Sequence, residues 1–182
     1  MSGDVRYPYQ QAIVIAGELR DLLAPACKRI EIAGSLRRKK ATVGDMELLC
    51  IPHPSDNLFR TDALDEAVSR LLGGLLPLLA LRPNIKGGMS YGPKNKLLIH
   101  LPSGIPLDLF SADTENWGMA FLIRTGPADF NKRIMQRFID LRMRGHAYGG
   151  ITSASGEEIE CPSEDTVFRN LGWPYIPPEK RS

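Results

Sequence analysis

The sequence predicts an α+β fold, with strands and helices mixed through its first 112 residues and mainly helices after them. Two observations predict this. Four short stretches carry strand-like patterns, interleaved with helical periodicity, up to Phe110, and beyond Asp113 the apolar spacing turns helical. A chain of 182 residues, 43% of them hydrophobic, can fill one sizeable core or two small, mutually supporting subdomains.

In chain order, apolar residues at helical spacing (Ala12, Ile13, Ile15, Ala16, Leu19, Leu22, Leu23) predict a helix over 10–23, which Pro25 stops. Residues 29–33 alternate like a half-buried strand until Gly34-Ser35 forces a turn, and a second strand is predicted over 46–51. Thr61 and Asp62 are cap candidates for a helix over 62–81 that Gly73-Gly74 could interrupt. Strands over 96–101 and 105–110 are joined by Pro102-Ser103-Gly104, a composition suited to a hairpin. Helices follow over 117–124 and 128–144, separated by Thr125-Gly126-Pro127. Residues 145–161 form a loop or hairpin, Ser163-Glu164-Asp165 caps a short helix through Leu171, and the Pro-rich tail is extended.

Composition narrows the function classes. A net charge of +2 is too small to announce nucleic-acid binding by itself, so local clusters must carry that argument. Cys27, Cys50 and Cys161 are odd in number and widely spaced, which points to buried free thiols rather than a disulfide framework or a zinc site. No signal segment or membrane span is evident, so an intracellular protein without a membrane partner is expected. His53, His100 and His146 lack metal-ligand spacing with the cysteines and are read as structural.

Chemistry concentrates around three acids. Asp45 and Glu47 are two apart at the start of a strand, so the pleat sends both carboxylates to one face. Asp108 lies on another strand between Leu107 and Leu109, whose side chains face the core and leave the acid pointing the other way. Converging hard oxygen ligands suit magnesium or manganese, and two such ions about 3.5–4 Å apart can clamp both oxygens of a phosphoryl transfer. Upstream, Gly34 and Ser35 let backbone amides and a hydroxyl approach a triphosphate, Arg37 or Arg38 supplies charge-assisted bonds, and Gly44 lets the chain pass close by.

The segment GSLRRKKATVGDMELL resembles the polymerase-beta-like nucleotidyltransferase superfamily, in which Gly-Ser opens a helix and Gly-Asp-x-Asp/Glu follows on the next strand. RTGPADFNKRIM and SEDTVFRNLGWPYIPPEKR extend the resemblance to family X DNA polymerases, so that it covers 29–181. It implies a palm with a mixed or antiparallel sheet over 1–112, including the first helix, and a small, mainly helical thumb over 113–182. Asp45, Glu47 and Asp108 would be the catalytic residues and bind two magnesium ions, with manganese possible, and Asp108 would help activate a primer 3′-hydroxyl.

By the same resemblance, Ser35, Arg38 and Gly44 match triphosphate contacts, Thr125 and Gly126 the turn beside the nucleotide sugar, and Asn131 a contact to the incoming base. Lys132 would lie near the template, with Arg133 beside it, and Arg37, Lys39, Lys40, Lys86, Lys94, Lys96 and Arg137 are further candidates for holding DNA. Trp173 and Tyr175 are read as packing the tail. Three positions depart from the family pattern: Glu47 stands where Asp is usual, Ile123-Arg124 replace an aromatic pair, and Met135 replaces an arginine. Neither a lyase domain nor a helix-hairpin-helix pair precedes Gln10, which implies a minimal polymerase.

The expected function is therefore monomeric, DNA-directed DNA synthesis from deoxynucleoside triphosphates on primer-template or gapped DNA, as in short gap filling during repair. Two alternatives are a nucleotidyltransferase with another acceptor (RNA, an untemplated DNA end or a small molecule) and a non-catalytic DNA-end-binding module.

Overall fold

A computed structural model describes residues 5–54, 62–84, 86–146 and 150–182. The chain opens with a two-residue strand β1 (Tyr7–Pro8) and helix α1 (Tyr9–Leu23), then β2 (Cys27–Ile32), a one-turn helix α2 (Gly34–Arg37), β3 (Thr42–Val43) and β4 (Met46–Pro52). Next come α3 (Ala63–Leu72), β5 (Leu79–Leu81), β6 (Asn95–His100) and β7 (Pro106–Ser111). Helices α4 (Trp117–Thr125) and α5 (Ala128–Asp140), strands β8 (Arg144–His146), β9 (Gly150–Thr152) and β10 (Glu158–Ile159), and helix α6 (Glu164–Leu171) complete it.

The central sheet has the order β2-β4-β7-β6-β5 and is mixed, with β4 and β7 parallel and its other pairs antiparallel. Strand β4 reads as a nearly continuous apolar run because both of its faces are covered. Leu48 and Cys50 join α1 and α3 in one core, while Leu49 and Ile51 meet Trp117, Ala120 and Phe121 of α4 in another. Helix α4 is buried almost all round because its Met119 and Leu122 also enter a third core, with α5, α6 and β9. It is thus the element shared between the sheet and the C-terminal helices. Gly118 makes that possible: its amide donates to Cys161 O at 2.7 Å, and a Cβ there would run into the backbone of Cys161 and Ser163.

Two helices are shorter than expected. The helix expected over 62–81 ends at Leu72, and Leu79–Leu81 instead form the edge strand β5 against β6. Gly73 and Gly74, the latter at φ +89°, let the chain leave the helix, and an edge strand needs only Leu79 to be buried. Asp62 closes a capping box with Asp65, whereas Thr61 lies outside the described residues. The helix expected over 128–144 stops at Asp140, because Phe138 is its last buried position and Arg142 turns left-handed at φ +58° before β8. The region expected as a loop or hairpin instead contributes the three-stranded antiparallel sheet β10-β9-β8, though residues 147–149 lie outside the described set.

The three cysteines are buried and free, as expected. No helix among the described residues is long and apolar enough to cross a membrane.

Candidate active site

The mixed sheet fixes where the acids lie. In the parallel β4–β7 pair Glu47 is directly opposite Asp108, and Asp45 precedes Glu47 by two residues, at the mouth of β4. Period-two alternation therefore puts these acids on one side of neighbouring strands. Asp45 and Glu47 line a cleft of about 810 Å³ bounded on the far side by Gly126, Ala128 and Asn131.

Burial dominates the ionisation of this group. It raises Asp45 and Asp108 above the usual carboxylate range, opposed at both by Arg82. Glu47 rises furthest, to about 8, through burial and the charges of Asp45 and Asp108, with Arg124 and Arg38 opposing. Three acids held together out of water repel one another's charges. Their desolvation outweighs the arginines that face them.

The segment 34–38 reaches the same cleft. Gly34 opens α2 at φ +62°, and a Cβ there would run into the Glu47 carboxyl, so the left-handed turn and the close approach both require glycine. The strand end is pinned by Ala33 N donating to Glu47 O at 2.8 Å. Ser35, Arg38 and Gly44 line the cleft.

The choice between Arg37 and Arg38 is settled by their partners. Arg37 turns away from the cleft, forking onto both oxygens of Glu164 at 2.7 Å, donating to Thr125 Oγ1 at 2.8 Å and lying 3.6 Å over the Phe121 ring. Arg38 stays at the cleft, where its Nη1 donates to Thr125 O while its buried Nε has no partner. Desolvation lowers its pKa, and the facing Glu47 and Asp45 resist that change.

Across the cleft, Thr125 is fully buried behind the wall and Gly126 faces the space. Asn131 holds the turn between them and itself: its Nδ2 donates to Ile123 O at 2.8 Å and to Gly126 O at 3.2 Å. Its buried Oδ1 has no protein donor, which leaves an acceptor in the wall of the cleft.

The basic residues divide. Lys132 pairs with Asp129 at 3.0 Å in the open, and Arg133 donates to Ser182 O; neither lines the cleft. Arg137 caps α6 by donating to Leu171 O at 3.0 Å. Lys96 corrects the expectation of a DNA contact: it is 1% exposed, paired with Asp65 at 2.9 Å and bound to Gly92 O, because its even position on β6 points it into the fold.

Three cleft arginines escaped sequence reasoning. Arg6 sits beside Gly44 because β1 pairs with β3; Arg82 follows β5; and Arg124 lies 3.7 Å over the Phe110 ring. Only tertiary pairing brings them in. A second cluster also went unread, in which Glu164 accepts from Arg181 at 2.7 and 3.0 Å as well as from Arg37, with Tyr175 OH at 3.3 Å. Tyr175 and Trp173 do pack the tail, the former edge-on to Phe168 at 5.4 Å and the latter against the third core.

The donor set fits a hard divalent ion, since carboxylate oxygens are its preferred ligands and burial penalises the charge these acids carry alone. As the side chains stand, no three His, Cys, Asp or Glu among the described residues gather into a cluster able to hold one. Asp108 is instead engaged by Arg82, which donates to its Oδ1.

Residues 120–182 match the DNA polymerase beta thumb family. The chain is 29% identical over 179 residues to the DNA polymerase/3′-5′ exonuclease PolX of Bacillus subtilis (strain 168), covering 97% of this chain and 28% of that protein. The chain is a relative of the family X DNA polymerases. A second family X relative, DNA polymerase lambda of Rattus norvegicus, is 28% identical over 176 residues, covering 88% of this chain and 29% of its own length. The chain thus spans less than a third of each of these relatives. In fold it is similar to Leishmania infantum polymerase beta in a ternary gap complex, with a TM-score of 0.80, 21% identity and coverage of 98% of this chain and 71% of that one. The ternary primer/template complex of the same polymerase gives 0.74 at 21% identity, covering 98% and 77%. The α+β architecture of the chain is therefore the polymerase-beta-like one, with a mixed sheet followed by a segment that matches the thumb.

Proposed function

We propose that this chain is a DNA-directed DNA polymerase that transfers a nucleotide from a deoxynucleoside triphosphate to a primer 3′-hydroxyl and fills short gaps during DNA repair. The observation that carries it is the meeting, at one cleft, of Asp45 and Glu47 with a serine-arginine grip, with Asp108 directly opposite Glu47 on the neighbouring strand. Relatives named as DNA polymerases, and the gapped and primer/template complexes among the fold neighbours, support DNA as the acceptor. Residues 1–112 would act as palm and 113–182 as thumb. The buried free thiols fit a reducing, intracellular setting.

The residues divide the work as follows. Ser35 and Arg38 hold the triphosphate, Arg38 through the donors that protein does not already take. Gly34 and Gly44 keep the path beside it clear of side chains. Asn131 offers Oδ1 to a donor on the nucleotide while its amide keeps the Thr125-Gly126 turn in place. Asp45, Glu47 and Asp108 would hold two magnesium ions, or manganese, which when bound supply charge to the attacking and leaving oxygens. Asp108 would accept the proton of the 3′-hydroxyl, the role that its place in the family X pattern implies. Lys132 and Arg133 would contact the DNA backbone.

The test offers the purified chain a gapped duplex, an open primer-template and a blunt end, with each deoxy- and ribonucleotide in turn. Addition of the complementary deoxynucleotide to the first two substrates is expected. Addition that ignores template sequence would replace this reading with untemplated transfer. Nucleotide binding indifferent to magnesium, with no addition anywhere, would replace it with a non-catalytic DNA-end-binding module.

A further inference from the structure

Arg82 is a cleft residue whose role the proposed chemistry leaves open. It follows the edge strand β5, and its backbone amide donates to Leu97 O at 3.0 Å. Its Nε donates to Leu98 O at 3.4 Å, so the stem is tied to β6 before the guanidinium reaches the site. There Nη2 donates to Asp108 Oδ1 in an ion pair with side chains 28% and 17% exposed. The same guanidinium is the leading positive charge acting on Asp45. Arg82 therefore supplies charge to two of the three acids.

A divalent ion needs the same lone pairs. A guanidinium stays protonated at any working pH, so it cannot leave Asp108 by losing its charge. Nor can it remain unmoved beside an arriving cation, because like charges at contact distance in a partly buried site repel strongly.

We propose that Arg82 is the resident counter-cation of the metal-free site: it holds Asp108 until a divalent ion takes that oxygen, and so sets the ion concentration at which the site loads. On loading, the guanidinium leaves Oδ1 for the cleft it already lines, where phosphate oxygens are its natural acceptors. Arg82 is a positioning residue in this scheme, acting through Asp108. The inference rests on reading Asp45, Glu47 and Asp108 as the ion-binding set.

The experiment titrates Mn²⁺ into the full metal-free chain and follows free Mn²⁺ by electron paramagnetic resonance, without nucleotide or DNA. Four variants are compared with the unaltered chain: Arg82→Gln, Arg82→Met, Arg82→Lys and Asp108→Asn. Both neutral replacements of Arg82 are expected to tighten Mn²⁺ binding about tenfold, equivalent to about 1.4 kcal/mol. Arg82→Lys, which keeps the charge, is expected to stay within about twofold of the unaltered chain. Unchanged or weaker binding by both neutral variants would show that Arg82 only orients Asp108 and would overturn the proposal. So would equal tightening by Arg82→Lys. If the unaltered chain has no saturable Mn²⁺ site, or Asp108→Asn binds as it does, the reading of the triad itself fails.

Discussion

Glu164 and Glu47 are both glutamates sunk into the protein, and their carboxyls shift in opposite directions. Burial pushes Glu164 up, but hydrogen bonds from Arg37 and Arg181 outweigh it and hold the carboxyl below its usual range. Glu47 is pushed up to about 8 by burial first and by the charges of Asp45 and Asp108 next, with Arg124 and Arg38 too weak to offset them. The first cluster has one acid forked by two arginines, and Arg181 is fully buried. The second has three acids, and the positive charges around it do not offset their burial. An acid whose arginines balance its burial serves as a structural joint, here between α2, α6 and the tail. Acids whose burial is left unbalanced beside a cleft are where a bound cation would restore balance.

The comparison can be broken most severely at its balanced end. Glu164→Ala strands two arginines, one of them fully buried, and is expected to lower unfolding free energy by about 3–5 kcal/mol in chemical denaturation. The loss is present at neutral pH. It shrinks in acid, because a carboxyl with a depressed folded pKa stabilises above its unfolded value and ceases to do so as pH falls through the folded one.

Glu47 carries the opposite sign. Its folded pKa of about 8 lies above the ordinary 4.5, so the metal-free protein should lose stability as pH rises between those values. Glu47→Gln is expected to flatten that slope and to stabilise the metal-free chain at pH 8 by about 1–3 kcal/mol, read by thermal unfolding across pH. A slope that survives the substitution would mean that Glu47 is not the unbalanced group.

A smaller effect sharpens the division between the two neighbouring arginines. Arg38→Lys should raise KM for the triphosphate about tenfold with little change in unfolding temperature, since lysine keeps charge but loses the fork. Arg37→Lys should do the reverse, lowering the unfolding temperature more than it raises KM.

Much of this contrast is written in the sequence, though unevenly. The shared face of Asp45, Glu47 and Asp108 follows from period-two alternation, and the apolar run in β4 marks a strand covered on both sides. The division of labour between Arg37 and Arg38 does not follow, because consecutive residues on a one-turn helix point in different directions and only the tertiary partner decides which meets the cleft. Arg82 was hidden for a related reason. Residues 62–81 carry helical spacing at their start, and β5, three residues long, is too short to show alternation before Arg82 follows it. Lys96 shows the converse: a lysine among basic neighbours reads as a surface charge until the register of β6 turns it inward toward Asp65.

The most direct test of the central claim is the rate of single-nucleotide addition to a gapped duplex in magnesium by the unaltered chain and by Asp108→Asn. The substitution removes one negative charge at nearly constant shape. A fall of about 10³-fold or more, equivalent to about 4 kcal/mol of transition-state stabilisation, is expected with the unfolding temperature unchanged or raised. Equal rates for the two proteins would contradict the assignment of this cleft as the catalytic centre.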